Sequence, residues 1–231
     1  VATFEGVLVI VGGGAVDPAL LHELKAAGAR LIAADGGADR VAAAGLVPEI
    51  IIGDLDSLDD PDAWSQQSRL VRITEQETTD FEKALYSTEA PVTVALGMTG
   101  KRFDHTLAAL DALARHAAKR RIVLVDDADI AVALTGRFSF RVAPGERVSI
   151  HPLAPVAFRS SEGLKYPLDG LELAPGVRTG TSNEAVTGPF TIVPERSEAP
   201  YLLIIAGSHL AALIAALLPP EAAGAGGGAG G

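Results

Sequence analysis

Asp35, Asp54, Asp56, Asp80 and Asp104 carry the chemistry this sequence offers. Asp35 ends an apolar run in Ala34-Asp35-Gly36-Gly37-Ala38. Asp54 and Asp56 follow another run in Ile52-Gly53-Asp54-Leu55-Asp56-Ser57. Asp80 opens a helix-like segment in Thr79-Asp80-Phe81-Glu82-Lys83, and Asp104 follows a glycine-flanked loop in Gly100-Lys101-Arg102-Phe103-Asp104-His105. In an open parallel sheet, ligands bind at the carboxyl ends of the strands, where all these acids fall. Singly, each has an ordinary use: Asp80 complements a helix dipole, Asp104 caps a helix, Asp35 sits in a turn. Asp54 and Asp56 are harder to explain that way. On an extended chain, residues i and i+2 point to one side. Two ionised carboxylates ~4 Å apart repel by roughly 4 kcal/mol at an effective dielectric of 20. A hard cation such as magnesium, which takes oxygen ligands, relieves that repulsion. Lys83 shares a helix face with Asp80, and Lys101 and Arg102 precede Asp104. Acids that hold a metal, with Lys and Arg beside them, are the parts phosphoryl transfer uses.

Other chemistries fall away. Gly12-Gly13-Gly14 could bring a phosphate to backbone amides, yet it is equally a tight turn. Position 17 is Asp, which breaks the dinucleotide fingerprint, and no Gly-Lys-Ser/Thr phosphate loop is present. His22, His105, His116, His151 and His209 show no metal-ligand spacing, and no Gly-x-Ser-x-Gly elbow occurs. A zinc hydrolase and a serine hydrolase are thereby excluded. Cys is zero, which removes thiol nucleophiles, disulfides and thiolate metal sites. The formal charge of −10 argues against a nucleic-acid partner. No apolar run is long enough to span a bilayer, and the first residues lack the basic region of a signal peptide. A cytoplasmic protein with no membrane partner is expected.

The elements that must position these residues follow from patterning. In the first half, apolar, partly β-branched runs at 7–11, 30–34, 50–52, 70–73, 92–96 and 122–125 alternate with helical stretches at 18–27, 38–44, 79–88 and 104–119. The stretch 58–67 is less clear. Continuous apolar strands separated by helices predict an α/β domain with a parallel sheet covered on both faces. Asp17-Pro18 predicts a helix start, and Thr79-x-x-Glu82 a capping box. After about Asp126 the texture changes. Short strand-like runs at 130–134, 138–142, 148–152, 164–168, 190–193 and 201–205 are separated by Gly and Pro turns, which predicts an all-β sandwich. The domains are placed at 1–126 and 127–218, with a helix at 208–218. The Ala/Gly-rich tail 219–231 is expected to be disordered.

The ordered set Asp35-Gly36-Gly37-Ala38, Gly53-Asp54-Leu55-Asp56-Ser57, Thr79-Asp80-Phe81-Glu82-Lys83-Ala84 and Arg102-Phe103-Asp104-His105 resembles the thiamine pyrophosphokinase family. Gly163-Leu164-Lys165-Tyr166-Pro167-Leu168 and Thr181-Ser182-Asn183 resemble that family's thiamine-site segments. The likeness spans about residues 7–206. It implies an N-terminal α/β domain and a C-terminal β-sandwich in a homodimer whose site is shared between chains. It implies transfer of a diphosphate from ATP to the thiamine hydroxyl, giving AMP and thiamine diphosphate, with Mg2+. By position, Asp54, Asp56 and Asp80 would hold magnesium, and Asp35 and Asp104 would complete the acidic pocket. Gly36, Gly37, Lys83, Arg102 and His105 would meet the nucleotide and its phosphates. Tyr166, Thr181, Ser182 and Asn183 would contact thiamine, Tyr166 standing where eukaryotic members carry Trp. Two rivals remain open: a metal-dependent phosphohydrolase with an aspartyl nucleophile, and a non-catalytic nucleotide- or thiamine-binding protein.

Overall fold

The computed structural model describes residues 1–58 and 60–220. Residues 221–231, most of the tail expected to be disordered, lie outside the described residues. The chain divides into two compact units. One comprises residues 1–109, 124–126 and the described residues from 217; the other comprises 110–123 and 127–216.

In chain order the first unit is built from β1 (Ala2–Thr3), β2 (Val7–Val11), α1 (Pro18–Ala26), β3 (Arg30–Ala34), α2 (Gly37–Ala43), β4 (Ile50–Gly53), α3 (Pro61–Ser65), β5 (Arg69–Arg72), α4 (Asp80–Ser87), β6 (Thr88–Glu89) and β7 (Val92–Leu96). α5 (Phe103–His116) and β8 (Ile122–Val125) are divided between the units. Strands β7, β2, β3, β4 and β5 hydrogen-bond in that order, all parallel. β2, β4 and β7 are buried along almost their whole length, as a sheet covered on both faces requires. Ala33, Ala38, Ile51 and Leu58 form a core cluster, with Leu55, Trp64 and Leu70 packed against it.

The chain steps outward from β2 to β5 and then returns to lay β7 on the other side of β2. That reversal opens a crevice beyond the carboxyl ends of these two strands. Local signals fix where the helices begin. The Asp17 side chain accepts the Ala19 amide at 2.9 Å, with Pro18 in the first turn. Thr79 Oγ1 accepts the Glu82 amide at 3.4 Å, which starts α4 at Asp80. The unclear stretch 58–67 contains the short helix α3, capped by Asp60.

The second unit contains β9 (Asp129–Leu134), β10 (Phe138–Arg141), β11 (Arg147–Pro152), β12 (Val156–Glu162), β13 (Glu172–Leu173), β14 (Gly180–Glu184), β15 (Pro189–Pro194), β16 (Tyr201–Ala206) and most of α6 (Leu210–Leu217). Its strands form two antiparallel arrays, β14-β11-β16-β9 and β10-β15-β12-β13. Phe158 of β12 and Tyr201 of β16 are fully buried and meet edge-on, ring centroids 5.7 Å apart, so the arrays share an apolar interior.

The strand expected at 164–168 is not formed. Leu164 makes one isolated bridge to Ala185, and Pro167 has no amide hydrogen for a ladder. β12 and β14 were not anticipated, because Arg-Ser-Ser-Glu and Gly-Thr-Ser-Asn-Glu present few apolar residues to reveal a strand period.

Candidate active site

β3 hands the chain to Asp35, which turns it in the left-handed region at φ 43° while its amide donates to Ile52 O at 2.9 Å. Asp35 is only 4% exposed, and its Oδ1 has no hydrogen-bond partner. β4 ends at Gly53, and Leu55 at φ 65° folds Asp56 back, so that the Asp56 amide donates to Asp54 Oδ1 at 3.4 Å. The pair therefore converges through a tight turn, not through the extended i, i+2 geometry expected of it. Asp35, Asp54 and Asp56 each offer a carboxylate oxygen within 4.8 Å of the others. Among the described residues the third non-glycine residue at positive φ is Ser182, at 59°. Such backbone costs about 1–3 kcal/mol per residue and persists where surrounding structure imposes it.

Asp80 reaches the same place from α4. Its Oδ1 accepts a hydrogen bond from Lys83 Nζ at 3.1 Å, and the Lys83 side chain is 2% exposed. A Cβ at Gly53 would stand 2.8 Å from Asp35 Cβ and 3.2 Å from Asp80 Oδ1, so a glycine there lets both acids close over β4. Burial opposes the Lys83 charge. The hydrogen bond and charge of Asp80, with Asp54 and Glu75 adding, outweigh it and hold Lys83 above the usual lysine range. Burial pushes Asp35 up from the usual carboxylate range; Ser57 opposes this, and the Asp80 charge reinforces it. The Gln76 amide, donating to Asp54 Oδ2 at 3.1 Å, holds Asp54 below that range. Gln76 carries no local signal in the sequence beyond its place four residues ahead of Asp80. The observed grouping also differs from the expected Asp54–Asp56–Asp80 set. Asp35 stands with Asp54 and Asp56, and Asp80 is held by Lys83. Three carboxylates, one buried with an unpartnered oxygen, are a hard donor set of the kind magnesium takes.

A cleft of about 210 Å³ adjoins the acids, lined among others by Gly13, Asp35, Ser57, Asp80, Arg102 and His105. The glycine run is explained by packing. The Gly12 amide donates to Leu96 O at 2.8 Å and the Gly14 amide to Gly97 O at 2.9 Å. A Cβ on Gly14 would lie 2.6 Å from Gly97 O. Gly36 lines the cleft just ahead of α2, and Gly37 presses against the end of β2. Across the cleft, Thr99 Oγ1 donates to Asp126 Oδ1 at 2.5 Å and pins the loop that carries Lys101 and Arg102. Arg102 grips Asp104 through Nε–Oδ1 at 3.1 Å and Nη2–Oδ2 at 2.6 Å. Both are exposed, and the guanidinium holds Asp104 below the usual carboxylate range. Asp104 is thus paired with Arg102 and is not one of the clustered acids.

The remaining predicted residues belong to the second unit. Tyr166 is 59% exposed, with Lys165 Nζ 5.9 Å from its ring centroid. Asn183 is buried, and its amide group is committed to backbone. Nδ2 donates to Tyr166 O at 2.7 Å, and Oδ1 accepts the amides of Tyr166 at 3.0 Å and Glu184 at 2.8 Å. Asn183 therefore fixes the strandless segment that presents Tyr166. Ser182 is exposed, its amide donating to Ser149 Oγ at 3.0 Å, and Thr181 Oγ1 pairs with Thr179 Oγ1 at 2.9 Å.

Comparison with known proteins finds relatives of both parts of the chain. Residues 21–125 match the family description "Thiamin pyrophosphokinase, catalytic domain", and residues 137–194 match "Thiamin pyrophosphokinase, vitamin B1 binding domain". Thiamin pyrophosphokinase 1 of Caenorhabditis elegans is 30% identical over 155 residues, spanning 61% of this chain and 63% of that relative's length. The crystal structure of thiamin pyrophosphokinase from Geobacillus thermodenitrificans superposes with a TM-score of 0.71 at 25% identity, covering 87% of this chain and 97% of that one. Thiamin pyrophosphokinase from Candida albicans has the same fold, with a TM-score of 0.73 at 17% identity over 89% of this chain and 92% of that one. With both family domains matched in order, the chain belongs to the thiamin pyrophosphokinase family.

Proposed function

We propose that this protein transfers the terminal diphosphate of ATP to the hydroxyl of thiamine, giving thiamine diphosphate and AMP. The observation that carries the reading is the cluster of Asp35, Asp54 and Asp56 beside the buried Lys83, at the sheet's switch-point cleft. The substrate oxygen forms a bond to the β-phosphorus as the bridge to the α-phosphate breaks, and AMP leaves with that bridging oxygen. Asp54 and Asp56, with Asp35 and Asp80 at hand, would hold magnesium, which when bound would neutralise the phosphate oxygens. Lys83 adds fixed positive charge that needs no reorganisation during transfer. Arg102 and Lys101 meet phosphate oxygens from the pinned loop, Arg102 exchanging Asp104 for them, with Gly36, Gly37 and His105 along the nucleotide's path. The hydroxyl proton passes to Asp80 or Asp104.

Thiamine is met by the β-sandwich unit, where Tyr166 offers an aromatic face and Thr181 and Ser182 offer hydroxyls, with Asn183 holding Tyr166 in place. The working form is a cytoplasmic homodimer in which the sandwich of one chain completes the acidic site of the other. No helix among the described residues is long and apolar enough to cross a membrane. Asp54→Asn and Asp56→Asn test the reading: each should lose turnover at ordinary magnesium concentration while melting as a folded protein. Near wild-type turnover in either would remove the metal assignment. Steady phosphate release from ATP without thiamine would favour a phosphohydrolase instead.

A further inference from the structure

We propose that Glu75 is a positioning residue that locks the β5–α4 loop so that Gln76 reaches Asp54, and thereby sets the metal affinity of the carboxylate cluster without touching it. The proposal rests on the reading of that cluster as a metal site. Glu75 gathers four donors. Its Oε2 accepts the Glu77 amide at 2.7 Å and the Thr78 amide at 3.0 Å. Its Oε1 accepts the hydroxyls of Thr78 and of Tyr86, the latter at 2.9 Å. Tyr86 belongs to α4, the helix that Asp80 opens, so one carboxylate ties the loop to that helix. The Ile73 amide anchors the loop's start on Gly53 O at 2.7 Å, and the Thr79 cap anchors its end. Between these anchors the loop closes around Glu75. Four donors favour the ionised form, and led by the Thr78 hydroxyl they bring its pKa down to about 2.

The next residue, Gln76, is exposed, and its Nε2 donates to Asp54 Oδ2 at 3.1 Å. The Asp56 amide holds the other oxygen of Asp54 at 3.4 Å, so both oxygens are aimed. A long, exposed side chain keeps such an aim only if its backbone is fixed, and Glu75 fixes it. Partners outside the ligand set typically alter metal affinity by about 10- to 100-fold.

The test titrates Mn2+ into nucleotide-free protein and reads the free ion by electron paramagnetic resonance, with no turnover involved. Glu75→Ala should raise the Mn2+ Kd about 10- to 100-fold. Gln76→Ala should do much the same, and the double variant should be no weaker than Gln76→Ala alone, because Glu75 acts through Gln76. Glu75→Gln should restore most of the affinity: its oxygen can serve the two amides while its NH2 donates to the two hydroxyls, which can turn to accept. If Glu75→Ala fails to fold, Tyr86→Phe takes its place in the cycle, with a smaller loss that vanishes on the Gln76→Ala background. An unchanged Kd in Glu75→Ala, or full additivity with Gln76→Ala, overturns the proposal while wild-type binding preserves the metal reading. Wild-type protein that binds no Mn2+ removes the metal reading, and this proposal with it.

Discussion

Replacing Asp35 by Asn removes a carboxylate held at 4% exposure, with an oxygen within 4.8 Å of oxygens on Asp54 and Asp56. At that separation two unit charges repel by about 3.5 kcal/mol at an effective dielectric of 20, and by about 0.9 kcal/mol in water. Asp56 is exposed, so the lower end applies, and neutralising Asp35 should stabilise the metal-free protein by about 1 kcal/mol. In a chain of 231 residues that raises Tm by about 2–4 °C. Asn tolerates the left-handed backbone at φ 43°, so no strain is added. The pH dependence has a definite sign. The folded state raises the Asp35 pKa above its unfolded value, so wild-type stability falls as pH rises through the folded pKa. The advantage of the Asn variant is therefore absent below the unfolded pKa, grows above it, and is complete once pH exceeds the folded pKa. Melting both proteins in chelator from about pH 3, below the unfolded Asp pKa, to about pH 8 reads this difference directly. Added magnesium should then raise the wild-type Tm more than that of the variant, which has lost one of the three clustered carboxylates. A variant less stable than wild type in chelator at about pH 7.5, or favoured as much at about pH 3 as at about pH 7.5, would show that Asp35 carries no such repulsion.

Gly53→Ala should lower kcat about 100-fold or more, because its Cβ, 2.8 Å from Asp35 Cβ, must displace the acids; steady-state kinetics on folded protein measures it. Tyr166→Ala should raise the thiamine KM roughly ten- to a hundredfold and leave the ATP KM unchanged, while Tyr166→Trp should preserve thiamine binding. Equal damage to both KM values would instead mark a folding defect. At thiamine concentrations far below the raised KM of Tyr166→Ala, both variants are nearly inactive alone. There, mixing Asp54→Asn chains with Tyr166→Ala chains under subunit exchange should restore about one quarter of wild-type activity, since half the dimers are mixed and each mixed dimer has one intact site. No recovery on proven exchange would rule out a site shared between chains.

The α/β unit was legible because its strands are apolar throughout: Val7–Val11 and Val92–Leu96 begin and end where hydrophobicity does. The helix starts at Pro18 and Asp80 were legible from Asp17 and Thr79, whose side chains close the caps. The acids could be placed at strand ends for the same reason. What escaped was set by tertiary contact. No local pattern announces that Leu55 turns left-handed, that Lys83 is buried against Asp80, or that Gln76 crosses to Asp54. In the second unit, β14 is a polar strand recruited by pairing with β11, and the Tyr166 segment looked like a strand but is held by the Asn183 side chain.

The proposed reaction moves a diphosphate intact from ATP to thiamine. Incubating the protein with ATP, Mg2+ and thiamine, and resolving the nucleotides by chromatography, tests it most directly. AMP and thiamine diphosphate should appear in equal amounts, and neither should form when thiamine is omitted. ADP with thiamine monophosphate, or nucleotide breakdown indifferent to thiamine, would exclude diphosphate transfer.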